Sequence, residues 1–109
     1  MTNVEIYRDK NKNIVKAIFD GHAEHSNEND IVCSAISAVS YMTLNTLESV
    51  LKINVGYQTG DGYLFFVLPD DLTDDMKDKA NIVLEGMYLF LNDLKEQYRD
   101  NVSISELEV

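Results

Sequence analysis

Twice along this chain, two short strand-like runs joined by a polar turn lead into one long run of helical period. In residues 3–7, Val4 and Ile6 point to one side and Glu5 and Tyr7 to the other, the alternation of a half-buried strand. Asp9-Lys10-Asn11-Lys12-Asn13 is a polar turn, residues 14–19 form a second β-rich run, and Asp20-Gly21 ends it. Residues 26–30 read as a loop with Asp30 as N-cap, and the helical period then extends to about Leu51 through Ile36, Val39, Leu44 and Leu47. Small residues (Ser34, Ala35, Ser37, Ala38 and Ser40) crowd its first half and suit a close approach to a neighbour. Residues 54–58 and 63–68 then flank Thr59-Gly60-Asp61-Gly62, a strong hairpin signal, and Pro69 stops the second of these strands.

Thr73 is placed to cap the second helix, with Asp74 and Asp75 at the positive end of its dipole. Leu72, Met76, Ala80, Val83, Met87, Leu91, Leu94 and Tyr98 keep one apolar stripe through it. Leu84, Tyr88, Leu89 and Phe90 add apolar character on other faces, which fits either deep burial or a dimer contact. Val102 and Ile104 read as a last strand. The order β-β-α-β-β-α-β predicts an α+β fold, a mostly antiparallel sheet with two long helices packed on it. Nothing in it supports a doubly wound parallel sheet.

The 109 residues predict a single domain, residues 1–109, large enough for a core without disulfide staples. One cysteine permits no intrachain disulfide. The N-terminus carries no basic-then-apolar leader and no apolar run is long enough to span a bilayer, so the expected location is the reducing cytoplasm. Acidic residues outnumber basic ones 19 to 9, a formal charge of −10. That field disfavours nucleic acid and anionic membranes as partners and favours basic peptides. The same acidity also serves plain solubility.

The single cysteine, Cys33, falls near the predicted mouth of the first helix, eleven positions after His22 at the end of the second strand. A thiol acts as a nucleophile only as thiolate, and a helix N-terminus favours the anion. With Asp30 as cap, Cys33 is expected in the first turn, where free N–H groups could also hold an oxyanion. A strand end and the start of the next helix often share one sheet edge, so His22 could take the thiol proton and return it to a leaving amine. His25 is a rival base, and Asp20 and Glu24 are candidate orienting carboxylates. Against this, a lone cysteine is often a small buried hydrophobe, and a lone histidine a surface or capping residue. Cys33, His22 and His25 match no standard zinc spacing, so no metal and no cofactor are expected.

Gly21-His22-Ala23, followed after a short loop by Asp30-Ile31-Val32-Cys33-Ser34-Ala35-Ile36-Ser37, resembles the signature of the ribosomal-processing cysteine protease family, Prp. The resemblance continues through Asn45-Thr46-Leu47-Glu48 and the ending LKEQYRDNVSISE, and so covers nearly the whole chain. It implies a cytoplasmic, homodimeric bacterial endopeptidase. Its substrate would be the basic N-terminal extension of a large-subunit ribosomal protein, the one that reaches toward the peptidyl-transferase centre. By the same resemblance His22 and Cys33 are the catalytic pair, and Gly21, Asp30, Ser34 and Ser37 support it or bind substrate. Here the loop EHSNEN looks about one residue short and lacks a glycine, and Ser34 stands where alanine is usual. The alternative is a non-catalytic module that clamps a basic peptide or ribosomal protein.

Overall fold

The computed structural model describes residues 1–21 and 27–109. The strands are β1 (Thr2–Arg8), β2 (Ile14–Asp20), β3 (Gly56–Gly60), β4 (Tyr63–Val67) and β5 (Val102–Glu108). The helices are α1 (Asn27–Asn45), extended by a π-helical turn over Thr46–Val50, and α2 (Asp74–Gln97). The sheet order is β3-β4-β2-β1-β5. The β1–β2, β2–β4 and β3–β4 pairs are antiparallel, and only β1–β5 is parallel. The α+β, mostly antiparallel architecture expected from the order of periods is therefore present.

Local chemistry explains the turns. In the first hairpin the Asp9 carboxylate accepts from the N–H groups of Asn11 at 2.9 Å and Asn13 at 3.0 Å, and Lys12 takes a left-handed φ of 69°. In the second, Gly62 adopts φ 65°, which costs glycine no steric strain. The Thr73 side chain accepts from Met76 N–H at 3.2 Å, so the predicted cap of α2 is present.

Alternation along the central strands sends Val4, Ile6, Ala17, Phe19, Leu64 and Phe66 to one face, where they meet Val32, Ile36, Leu44 and Leu47 of the first helical segment and Ala80, Leu84, Met87, Leu91 and Leu94 of α2. Of the additional apolar residues on α2, Leu84 is buried and Tyr88 packs against the core, whereas Leu89 and Phe90 are exposed. The second helix thus divides between the two expectations for it: burial accounts for one pair and not for the other. Of the small residues on α1, Ser40 is buried and Ala35 packs on the core, but Ser34, Ser37 and Ala38 face outward.

The largest departure is the start of α1. The helix begins at Asn27, so residues 27–30 are helical rather than loop and Asp30 is not its N-cap. The difference exceeds the usual ambiguity of helix ends. Asn27 to Asp30 contribute nothing to an apolar period, yet a helix's first turn needs none, and Glu28 and Asp30 are residue types that suit it.

Candidate active site

Four segments meet at one end of the sheet. β1 begins with Thr2, β2 leaves at Asp20 opposite Asn3, the β3–β4 turn lies beside it, and α1 crosses above. The exit of β2 is held closely. Gly21 N–H donates to the Gly62 carbonyl at 2.9 Å. A Cβ at Gly21 would collide with the Met1 carbonyl oxygen and lie 2.6 Å from Thr2 Cα, so this position accepts only glycine without backbone movement.

Between these segments is an open cleft of about 210 Å³, whose walls include Thr2, Gly21, Cys33, Ser37, Tyr41 and the turn Gly60–Gly62. Cys33 is half-buried. Its Sγ lies 3.8 Å from the hydroxyl of Thr2, a residue only 6% exposed. Ser37, one turn further along α1, is exposed and lines the same cleft, as the i, i+4 spacing requires.

Gly21, Cys33 and Ser37 are therefore brought together. Ser34 is exposed and does not line the cleft. Asp30 is placed within α1 by its backbone. His22, the rival His25, Glu24 and most of the loop before the helix lie outside the described residues. Because α1 begins at Asn27, Cys33 is its seventh residue and sits in the second turn. Only the first four N–H groups of a helix lack an internal acceptor, so Cys33 lies beyond the free N–H groups that were expected beside it as oxyanion donors. Among the described residues, no group of three or more His, Cys, Asp and Glu is arranged to hold a metal ion. No described helix is long and apolar enough to cross a membrane.

Sequence reasoning missed Thr2, Tyr41 and the Gly60–Gly62 turn as walls of this cleft. Thr2 and Cys33 are 31 positions apart, and only the path of the sheet joins them. The hairpin turn carried a structural signal of its own, but nothing in it pointed to the cysteine.

The family described as cysteine protease Prp matches residues 1–103. The chain belongs to that family. A Prp relative from Bacillus subtilis (strain 168), named ribosomal processing cysteine protease Prp, is 27% identical over 108 residues and the match covers 96% of each chain. The Staphylococcus aureus Prp, an essential ribosomal processing protease, has been solved with a covalently linked product peptide; it superposes with a TM-score of 0.83 and 26% identity, over 97% of this chain and 99% of that one. The same S. aureus Prp with a substrate peptide gives a TM-score of 0.84 at 25% identity. Membership in Prp makes this chain a cysteine protease, with a fold shared along nearly its whole length.

Proposed function

We propose that this chain, acting over residues 1–109 as one unit, removes the N-terminal extension of a large-subunit ribosomal protein with a Cys33–His22 pair. The observation that carries the reading is the position of Cys33. A cysteine protease needs a thiol, the chain contains one cysteine, and that cysteine opens into a cleft beside the backbone that leads to His22. The formal charge of −10 suits a basic substrate, and an extended peptide fits a cleft bounded by a sheet end and a helix. A ribosomal substrate places the reaction in the cytoplasm, and a homodimer accords with the exposed Leu89 and Phe90 on α2.

The chemistry balances without a cofactor. His22 takes the Cys33 proton as Sγ attacks the scissile carbonyl carbon, forming a C–S bond and a tetrahedral oxyanion. Collapse breaks the C–N bond, and His22 delivers the proton to the leaving amine. Water then attacks the thioester, releasing the extension as a carboxylate and restoring the thiol. Asp30 and Ser37 lie on the same helix as the nucleophile, and in this reading Ser37 contacts the peptide.

The test is to incubate the purified chain with the ribosomal protein of its own organism, extension included, and weigh the products. Cleavage by the wild type and none by Cys33→Ala or His22→Ala is expected. Intact substrate with the wild type would turn the reading toward a peptide clamp, and cleavage by Cys33→Ala would remove Cys33 as the nucleophile.

A further inference from the structure

We infer that the Thr2 hydroxyl is a positioning residue for the Cys33 sulfur, holding it at the cleft wall in a fixed orientation. The inference rests on the reading of Cys33 as nucleophile and adds to it a residue outside the Gly21–Ser37 stretch.

The geometry is asymmetric in a useful way. Thr2 is the first residue of β1, and its backbone is fixed on the parallel partner strand: it pairs with Val102, and its N–H donates to the Asn101 carbonyl at 2.9 Å. Its position is thus set by the sheet rather than by the cleft. A β-branched side chain in a strand is also stiff about χ1, so the hydroxyl has few alternative directions. Thr2 is 6% exposed, and among the described residues the hydrogen-bonding neighbour of its hydroxyl is Cys33 Sγ at 3.8 Å.

A buried hydroxyl without a partner is costly, so the contact matters to Thr2 as well as to the cysteine. In the neutral pair either group can donate. Once the thiol loses its proton the sulfur can only accept, and the hydroxyl becomes the donor. Cys33 is in the second turn of α1, beyond the unpaired N–H groups that were expected to assist it, and the Thr2 hydroxyl supplies a donor at the sulfur from a different element. The contact also fixes which way the sulfur faces before substrate arrives, and catalysis is sensitive to such placement.

The chain's single cysteine makes a direct test possible. The rate of iodoacetamide alkylation of Cys33 is measured for the wild type, Thr2→Ser and Thr2→Val, with kcat and KM for peptide cleavage measured alongside. Valine keeps the shape and strand preference and removes the hydroxyl, while serine keeps the hydroxyl. Thr2→Val is expected to slow alkylation by about 3- to 10-fold and to lower kcat more than it raises KM. Thr2→Ser is expected to retain the wild-type alkylation rate and kcat. Thr2→Ala serves as a second hydroxyl-free variant if valine disturbs the fold. A folded hydroxyl-free variant with the wild-type alkylation rate and kcat overturns the inference. Cleavage by Cys33→Ala would instead overturn the nucleophile assignment, and the alkylation rates would still report on the Thr2–Cys33 contact.

Discussion

At the Thr2 end of β1 a thiol and a hydroxyl face an open cleft with 3.8 Å between them; at the Arg8 end of the same strand a guanidinium is held by two carboxylates and a backbone carbonyl. Arg8 donates twice to Glu85 of α2, at 2.7 and 3.1 Å, once to Glu106 of β5 at 2.9 Å, and once to the Lys12 carbonyl at 2.7 Å. It also lies 4.9 Å from the centre of the Tyr88 ring. These partners raise the Arg8 pKa above its ordinary value, with the Glu85 hydrogen bonds the main cause and Glu106 adding to it. The two ends are about 20 Å apart along the strand. One end satisfies its polar groups internally and joins three elements. At the other, Thr2 and Cys33 meet each other among the described residues and face a cleft that a substrate can enter. Density of internal partners separates a structural cluster from a reactive one, although both would stand out on charge or polarity alone.

The sharpest way to break this contrast is at Cys33. Cys33→Ala should abolish cleavage while costing less than about 1 kcal/mol of stability in urea unfolding, because the side chain is only half-buried. A stability loss comparable to that of a core truncation would make Cys33 a packing residue and erase the difference between the ends.

Gly21→Ala should damage both properties. The new methyl meets backbone of β1 rather than a movable side chain, so a loss of about 2 kcal/mol is expected, with cleavage slowed by about 10-fold or more through displacement of the cleft wall. Unchanged melting and turnover would show that the N-terminal strand gives way freely.

Arg8→Ala should do the reverse of Cys33→Ala. It leaves Glu85 and Glu106 without their cation and is expected to cost about 2 kcal/mol, the partial exposure of both carboxylates keeping the loss below that of a fully buried pair. Cleavage measured well below the melting temperature should stay near wild type. Thr73→Ala, distant in role from either end, should cost about 1 kcal/mol through the lost cap of α2, with no change in kcat.

The smallest effect is a pH dependence at the Arg8 end. The hydrogen bond from Arg8 holds the Glu106 carboxyl below its ordinary pKa, with burial opposing the shift and Tyr88 and Lys12 assisting it. A carboxylate whose folded pKa is depressed stabilises the fold above its unfolded pKa, and that contribution disappears as pH falls through the folded value. Glu106 is about half exposed, with 47% of its side-chain area accessible, so Glu106→Gln should flatten the acid limb of the stability curve by less than about 1 kcal/mol, and less again in high salt. An acid limb identical in the two proteins would assign that slope to other carboxylates.

The order of elements was legible because hydrophobic period and turn chemistry are local. The Asp9 turn, the Gly60–Gly62 turn and the Thr73 cap each act within a few residues of the signal that announced them. The parallel pairing of β5 with β1 was not legible, since it joins Thr2 to Val102 and Arg8 to Glu108 across the length of the chain. The Arg8 cluster was hidden for the same reason: its carboxylates are 77 and 98 positions away. The start of α1 was misplaced because its first turn is polar, and that single error moved Cys33 from the first helical turn to the second. Along the candidate site, Gly21, Cys33 and Ser37 carried a local motif, whereas Thr2 entered only when the sheet had assembled.

The most direct measurement of the central claim is an acid-quenched single turnover of the wild-type chain on its extended ribosomal substrate, with the intact enzyme weighed and then digested. A transient mass increase equal to the released extension less one water, acid-stable and located on the peptide that contains Cys33, is expected. Cleavage that proceeds with no adduct at Cys33, or with an adduct on another residue, would contradict it.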